Sequence, residues 1–429
     1  MGSPKAAPSV LILGADGFIG RHLGFGLRQA GWHVVASARR TDRLAQMGFA
    51  TLRVDLTNPT CHDPGFWAPH LVGIDYVINA AGVLTGPEAQ LHAVHIAAPE
   101  ALYQAMPDTA RGLLISAVGI DTAETGFSRH RRAGEAVAGQ HDVIILRAGL
   151  VLGDTSYGGS SLARALAALP LITPVVGDGD QRFNPIHAAD LAEVVRDCLQ
   201  HPPAPGVHQI GGPETVTQAQ MLGALRGWLG LPRARLVQLP LGLARLVGRL
   251  GDALRLGPIS YAAVTQLSAG VHAETGALLE GRRCTPGGFS DFVAARPAGT
   301  QDLWHARLYL MRPVLRLVLA LMWLASGVIG LGLPAVDFLP LIQPGALPDT
   351  VLVAMARLGG LADIAIGLAL LRAWRMSLMV WVQAAMIVGY TLAFSLLAPV
   401  LWLLPLGGLL KNIPLLVLIA LHGILESER

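Results

Sequence analysis

Charged residues are scarce in this chain of 429 residues: Asp, Glu, Lys and Arg make up 14% of it. In a typical soluble domain, these four residue types make up about 25% of the residues. Hydrophobic residues make up 52%. Because so few charges cannot cover a water-facing surface of this length, the composition predicts contact with a lipid bilayer. The net charge of +3, without a long run of Lys or Arg, argues against a phosphate-tracking surface. We therefore expect no nucleic-acid partner.

Cysteine and lysine are scarce as well. The three cysteines, Cys61, Cys198 and Cys284, lie far apart and form no CxxC pair, which argues against a disulfide framework and a zinc site and fits a reducing compartment. The histidines show no HxxxH or HExxH spacing, so we expect no metal. The only lysines are Lys5 and Lys411. The segment MGSPKAAPSV lacks the apolar core of a signal peptide, so we expect the N-terminal domain to stay in the cytoplasm.

Short apolar runs alternate with helical stretches over the first 150 residues. This alternation predicts an α/β fold of the Rossmann type, a doubly wound parallel sheet that binds ligands beyond the carboxyl ends of its strands. A looser stretch rich in Pro and Gly, from about Leu150 to Thr300, predicts a small substrate lobe. The predicted strands are Val10–Leu13, His33–Ala38, Thr51–Asp55, Tyr76–Asn79, Leu113–Ser116 and Val143–Leu146.

Four apolar segments after residue 300 are each long enough to cross about 30 Å of hydrocarbon. We therefore expect a nucleotide-binding domain in residues 1–300 and an all-α four-helix transmembrane domain in residues 301–429. Arginines precede the first segment and separate the second from the third, which predicts that these ends and both termini face the cytoplasm of a bacterial-type inner membrane. The predicted spans are Leu317–Val336, Val351–Leu371, Met376–Leu397 and Leu406–Leu425.

A glycine-rich turn follows the first predicted strand and opens a helix near Phe18–Ala30. In the GxxGxxG spacing the first glycine permits a tight turn, the second lets a pyrophosphate approach the backbone, and the third lets the helix pack on the strand. The helix N-terminus offers unpaired N–H groups to the phosphates. We expect the cofactor to contact the whole turn: Gly14, Asp16, Gly17, Phe18, Ile19 and Gly20.

The residues after the second strand predict which dinucleotide binds. An NAD site usually has an acidic residue there, whereas this chain has Arg39 and Arg40. An arginine suits the 2′-phosphate by charge and geometry, so we expect NADP(H), with NAD(H) as the alternative. Asp55 and Leu56, after the third strand, are placed to contact adenine. The backbone of Ala80, Ala81 and Gly82 is expected to run close under the cofactor.

Residues 8–300 resemble the extended short-chain dehydrogenase/reductases, in particular the atypical branch that includes the NADPH-binding accessory subunit of respiratory complex I. The resemblance rests on segments in the family's order: GADGFIG, VDLTNP, NAAG, LLISAVG, ILRAGLVLG, GDGDQRFNPIHAADLAEVV and HQIGGPETVTQAQML. Residues 301–429 resemble the DoxX-like membrane family, most closely in PVLWLLPLGGLLKNIPLL. The fused arrangement is similar to a bacterial class of membrane-tethered reductase-like proteins.

The resemblance implies a catalytic Ser with a Tyr-x-x-x-Lys motif, in which Tyr transfers a proton and Lys holds the nicotinamide ribose. Ser116 stands at the Ser position, but Phe127 stands at the Tyr and Arg131 at the Lys. Phe127 has no proton to transfer, whereas Arg131 keeps its charge and is expected to bond the ribose. His130 and Tyr157 are candidates to replace the Tyr. The alternative interpretation is that His130 is a surface histidine and that Tyr157 is an ordinary loop aromatic.

Two hypotheses for the function follow. The first is a membrane-tethered NADP(H)-dependent oxidoreductase acting on a lipophilic carbonyl or quinone-like substrate. The alternative is a non-catalytic NADPH-binding scaffold or redox sensor that stabilises a membrane protein assembly. In the membrane domain Asp363 is the deepest charge, and it is interpreted either as a functional carboxylate or as a helix-packing contact.

A segment before the membrane domain also allows two interpretations. Residues 236–256 are apolar with interspersed arginines, Arg245, Arg249 and Arg255. The segment fits a packed helix with a solvated arginine face. It also fits a helix lying on the membrane surface.

Overall fold

A computed structural model describes residues 7–122, 124–256, 259–345 and 347–427. The chain divides into two compact units. The first comprises Met1–Arg249 and Pro258–Leu303, and the second comprises Leu250–Gly257 and Trp304–Arg429.

The described residues form strands β1 to β13 and helices α1 to α18. The strands are β1 (Ser9–Leu13), β2 (His33–Ala38), β3 (Ala50–Arg53), β4 (Tyr76–Asn79), β5 (Arg111–Ala117), β6 (Ile144–Ala148), β7 (Val151–Leu152), β8 (Ile172–Val176), β9 (Arg182–Phe183), β10 (Ile186–His187), β11 (Val207–Ile210), β12 (Val216–Thr217) and β13 (Arg235–Leu239). The helices are α1 (Phe18–Gln29), α2 (Asp42–Gln46), α3 (Pro64–Trp67), α4 (Glu88–His92), α5 (Ala98–Ala105), α6 (Gly126–Gln140), α7 (Gly159–Ala167), α8 (Ala188–Gln200), α9 (Gln218–Trp228), α10 (Leu241–Ala253), α11 (Tyr261–Ala269), α12 (Gly276–Leu279), α13 (Phe289–Ala295), α14 (Thr300–Gly332), α15 (Ala335–Phe338), α16 (Asp349–Leu371), α17 (Met376–Leu397) and α18 (Asn412–Glu426). A π-helical segment, Ala93–Ala97, lies between α4 and α5.

A seven-stranded parallel sheet forms the centre of the first unit, in the order β11-β6-β5-β4-β1-β2-β3. Strand β1, an inner strand of this sheet, is buried on both faces, as a sheet covered by helices on both sides requires. The strand order reverses between β1 and β4, which opens a crevice at the carboxyl ends of these strands. The predicted doubly wound sheet is therefore confirmed.

The seventh strand, β11, was not among the predicted strands. It follows a proline-rich turn, it is four residues long, and only Ile210 of its residues is buried. Because β11 lies at the edge of the sheet, it lacks the continuous apolar run by which the buried strands were predicted.

Helices cover both faces of this sheet. Helices α1 and α8 pack on one face through an apolar core that includes Leu23, Leu27 and Leu191. Helices α3, α5 and α6 pack on the other face around Trp67 and Leu102. A third core, within residues 150–295, joins α7 and α9 to the short strands that follow the main sheet.

The second unit contains four helices that are long and apolar enough to cross a membrane among the residues described: Thr300–Gly332, Asp349–Leu371, Met376–Leu397 and Gly408–Glu426. The predicted four-helix domain is confirmed, but the helix that carries the first span begins at Thr300, not near Leu317. The helix continues through a polar segment because apolar composition marks the part that lipid covers, not the point where a helix begins.

Small residues let two of these helices approach closely. A Cβ added to Gly327 of α14 would lie 2.7 Å from the Gly360 carbonyl oxygen of α16. Near this crossing the Asp363 carboxylate accepts hydrogen bonds from Ser326 of α14 (2.6 Å) and Tyr390 of α17 (2.7 Å). Asp363 therefore joins three helices, and both of its carboxylate oxygens accept hydrogen bonds. A carboxylate within a membrane domain needs such partners, because burying it without them is costly.

Candidate functional site

The turn between β1 and α1 requires glycine, because a Cβ at two of its positions would collide with the backbone. Gly14 has a φ of +71°, and a Cβ there would lie 2.7 Å from the Cα of Ala81 in the loop after β4. A Cβ on Gly20 would overlap the carbonyl oxygen of Gly14. Gly17 precedes α1 without a capping side chain, so the first N–H groups of the helix are left for an anionic ligand.

A cleft lies where β1, β2, β3 and β4 end, and we call it the dinucleotide cleft. It brings together nine of the residues predicted to contact the cofactor: Gly14, Asp16, Gly17, Arg39, Asp55, Leu56, Ala80, Ala81 and Gly82. Of the other predicted residues, Phe18, Ile19 and Gly20 form the first turn of α1. Arg40 is exposed and does not line the cleft. Ser37, Gln90 and Val94 line it without having been predicted.

The adenosine end of the cleft carries one cation and one anion. Arg39 is exposed directly after β2, where the chain supplies no carboxylate. The carboxylate of Asp55 accepts hydrogen bonds from the backbone N–H (3.0 Å) and the hydroxyl (2.8 Å) of Thr57. These bonds hold the pKa of Asp55 below its usual value. The cleft therefore presents an exposed guanidinium together with a carboxylate that is already oriented.

The guanidinium of Arg131 is buried behind the loop after β4, whose residues Ala81 and Gly82 line the cleft. It donates hydrogen bonds to the carbonyl oxygens of Ala81 (3.2 Å) and Ile115 and to Nδ1 of His95 (3.2 Å). Burial lowers the pKa of Arg131 to about 10, which leaves it charged at neutral pH. The side chain expected at the ribose is thus held by three acceptors of the protein itself.

His95, in the π-helical segment, is a site residue that the sequence did not point to. Because arginine only donates, His95 Nδ1 accepts from Arg131, and Nε2–H donates to the Val83 carbonyl oxygen at 3.0 Å. Burial, with the adjacent charge of Arg131, lowers the pKa of His95 to about 4, so the ring is neutral. The ring of Phe127 packs edge-on against it, with centroids 5.7 Å apart. We call His95, Phe127 and Arg131 the α6 corner.

One glycine lets this corner close, and a second lies beside it. A Cβ on Gly134 of α6 would overlap the carbonyl oxygen of His95, so α6 can lie against the π-helical segment only because Gly134 has none. A Cβ on Gly82 would lie 3.4 Å from Cε1 of His95 and 3.8 Å from the Arg131 guanidinium. The corner therefore lies directly behind the loop that lines the cleft.

The three remaining catalytic candidates lie in different surroundings. Ser116, near the end of β5, is buried, and its hydroxyl makes no hydrogen bond to any residue described. His130 is directed to the Gly126 carbonyl oxygen (2.8 Å), with Glu88 at 3.9 Å. Tyr157 is 57% exposed in the loop before α7 and does not line the cleft. Ser116 adjoins the α6 corner through its neighbour Ile115, and His130 precedes Arg131 in α6, whereas Tyr157 belongs to another loop.

Comparison with known proteins assigns a family to part of each unit. Residues 10–107 match the NAD dependent epimerase/dehydratase family, and residues 320–420 match the DoxX-like family. The predicted resemblance of the first domain to dehydrogenase/reductases and of the second to DoxX-like proteins is therefore confirmed. No curated protein matches the chain.

Among solved structures, the chain is similar to UDP-glucuronic acid 4-epimerase from Bacillus cereus in complex with UDP-glucuronic acid and NAD. The identity is 17% over 71% of this chain and 99% of that one, with a TM-score of 0.48. It is also similar to dTDP-glucose 4,6-dehydratase from Bacillus anthracis in complex with NAD. Here the identity is 14% over 55% of this chain and 85% of that one, with a TM-score of 0.46.

Proposed function

Because the chain joins a domain of the NAD dependent epimerase/dehydratase type to a DoxX-like domain, we propose that it is a membrane-anchored NADP(H)-binding protein. In this proposal the dinucleotide domain acts as a scaffold or redox sensor for a membrane assembly. The α6 corner is the observation that carries it. Phe127 has no proton to give, and Arg131 is engaged with Ala81, Ile115 and His95. The cleft is built for binding, while the groups that would transfer a proton are replaced by a packed network.

The preference for NADP(H) over NAD(H) rests on the adenosine end of the cleft. A 2′-phosphate there would meet the exposed guanidinium of Arg39, with Arg40 next to it in sequence. The glycine turn would hold the pyrophosphate, and Asp55 with Leu56 would contact adenine. The groups present fit a phosphorylated dinucleotide, because the uncapped α1 N-terminus and the arginine both favour anions.

Calorimetry on the full chain in lipid nanodiscs tests the proposal. NADPH should bind tighter than NADH by about tenfold or more, the gain expected of one charge-assisted phosphate contact. NADH binding as tightly as NADPH would refute the choice of cofactor. Failure of both to bind would refute the function.

The membrane unit, in this proposal, anchors the chain in a bacterial-type inner membrane with its arginine-rich helix ends toward the cytoplasm. Residues 1–300 then form the cytoplasmic NADP(H) domain and residues 301–429 the anchor. Asp363 serves helix packing, because Ser326 and Tyr390 occupy both of its oxygens. Replacing Asp363 with Ala should lower the thermal stability of the membrane unit without changing NADPH affinity.

A second candidate is NADP(H)-dependent reduction of a lipophilic carbonyl or quinone-like acceptor. The buried hydroxyl of Ser116, unpaired among the described residues, favours it because such a group is able to hydrogen-bond an acceptor oxygen. Substitution of Ser116 with Ala distinguishes the two candidates. An enzyme would lose turnover of reduced nicotinamide, whereas a binding protein has no turnover to lose.

A further inference from the structure

Helix α10 presents three different faces. Ala244, Gly248 and Gly251 are buried and recur at intervals of four and three residues, which is the spacing of one helix face. A Cβ on Gly248 would lie 2.9 Å from the carbonyl oxygen of Ser260, so this face packs against protein at very short range. The other two faces are exposed.

The second face is a stripe of large apolar side chains. They lie within an arc of about 100° because successive residues of an α-helix are about 100° apart. Exposed apolar surfaces of this kind mark contacts with another protein or with lipid. We call the four residues the leucine stripe: Leu243 (46% exposed), Leu246 (52%), Val247 (40%) and Leu250 (52%).

The third face is mostly basic. Arg245 and Arg249 are exposed on the side of the helix away from the centre of the leucine stripe. The guanidinium of Arg249 lies 5.4 Å from the centroid of the Tyr261 ring. An apolar stripe opposed by arginines is the composition of helices that lie in the plane of a membrane surface.

The residues that continue α10 contact Arg316, which immediately precedes the predicted apolar span of α14, and Arg372, at the end of α16. Arg316 of α14 donates to the Leu254 carbonyl oxygen at 2.7 Å, and Arg255 donates to the carbonyl oxygen of Arg372, which caps α16, at 3.1 Å. Arginine-rich ends of spans mark the headgroup level.

We propose that α10 is an in-plane membrane helix, whose leucine stripe enters the leaflet bordering the arginine-rich helix ends. Arg245 and Arg249 remain at the level of anionic phospholipid headgroups. Lipid is the occupant because the stripe is covalently continuous with a segment packed on membrane helices, and because its flanking charge is complementary to anionic lipid. The soluble domain then has a second attachment to the bilayer, independent of the four spans.

Depth-dependent quenching on the full chain tests this assignment. In a Cys284→Ser background, whose other cysteines are buried, single cysteines at Leu246 and Leu243 receive an environment-sensitive fluorophore. The matched control is a cysteine at Leu171, an 80% exposed leucine of the same unit, and a second control is a cysteine at Arg245. Each protein is reconstituted into vesicles of phosphatidylcholine and phosphatidylglycerol with nitroxide-labelled lipid or, separately, exposed to iodide.

The expected result is lipid quenching several-fold stronger at positions 246 and 243 than at 171, with the reverse order for iodide. Position 245 should fall between them. Equal iodide quenching at 246 and 171 would place the stripe in water and overturn the proposal. Protection of position 246 from both quenchers would mean that a protein or a second copy covers the stripe, which would overturn it equally.

Discussion

The glycine turn and the α6 corner both adjoin Ala81, in the loop after β4, and they are built by opposite means. The turn requires residues without a Cβ, since a Cβ on Gly14 or Gly20 would collide with the backbone. The corner is filled, because Arg131, His95 and Phe127 satisfy and pack one another. In the proposed function, the cleft supplies the groups for dinucleotide binding, and the α6 corner replaces the groups that would transfer a proton.

The largest effect is expected from Gly14→Ala, which introduces a Cβ into the glycine turn. A side chain in the left-handed region costs about 1–2 kcal/mol, and overpacking adds about 1–3 kcal/mol. A turn that relieves this strain moves away from the geometry that holds the pyrophosphate, so NADPH affinity measured by calorimetry should fall by at least about tenfold, a loss of about 1.4 kcal/mol of binding free energy. Gly223→Ala, in α9 with open space around it, is the matched control and should bind normally. Equal binding by both variants would contradict the turn's role.

Arg131→Met removes the hydrogen bonds of the α6 corner. It leaves the carbonyl oxygens of Ala81 and Ile115 without their donor, and each such buried group costs about 1–3 kcal/mol. The free energy of unfolding, from chemical denaturation, should fall by about 2–4 kcal/mol. Exposed Arg129 on the same helix is the control, and Arg129→Met should change it by less than about 0.5 kcal/mol. A loss of NADPH affinity with unchanged stability would instead make Arg131 a ribose ligand.

Arg39→Ala should affect the choice of cofactor alone. Removing a charge-assisted contact of about 1.5–3 kcal/mol should weaken NADPH binding about tenfold or more and leave NADH binding unchanged. Arg43→Ala, an exposed arginine in α2, serves as the control. If both dinucleotides weaken equally, Arg39 acts through general charge and the 2′-phosphate is not its partner.

The last effect is absent near neutral pH and develops only in acid. The pKa of His95 is about 4 in the folded chain and about 6.5 when unfolded, so acid protonates the unfolded state first. The contribution of His95 is complete above about pH 6.5 and declines by up to about 1.4 kcal/mol per unit as the pH falls toward 4. His95→Asn should flatten this part of the stability profile, and exposed His92→Asn should not. Parallel profiles for the wild type and His95→Asn would show that the ring titrates normally.

The sequence predicts the parts of the site whose signal is local. Gly14, Gly17 and Gly20 stand at fixed spacing after a buried strand, and Arg39 follows the next strand, so their positions at the cleft follow from the fold class. His95 carries no comparable signal, because its role arises where a π-helical segment meets α6. The direction of Arg131 was unpredictable for the same reason, since its acceptors lie 16, 36 and 50 residues away along the chain. The partners of Asp363 also come from two other helices.

The fate of bound NADPH tests the central claim most directly. The full chain in nanodiscs is loaded with NADPH, freed of excess, and mixed with quinones and isoprenoid carbonyls while the absorbance of the reduced nicotinamide is followed. The separation of binding from chemistry predicts stoichiometric retention, with oxidation no faster than in protein-free controls. Oxidation of the bound NADPH that depends on the acceptor and is lost in Ser116→Ala would contradict the claim and identify the chain as a working reductase.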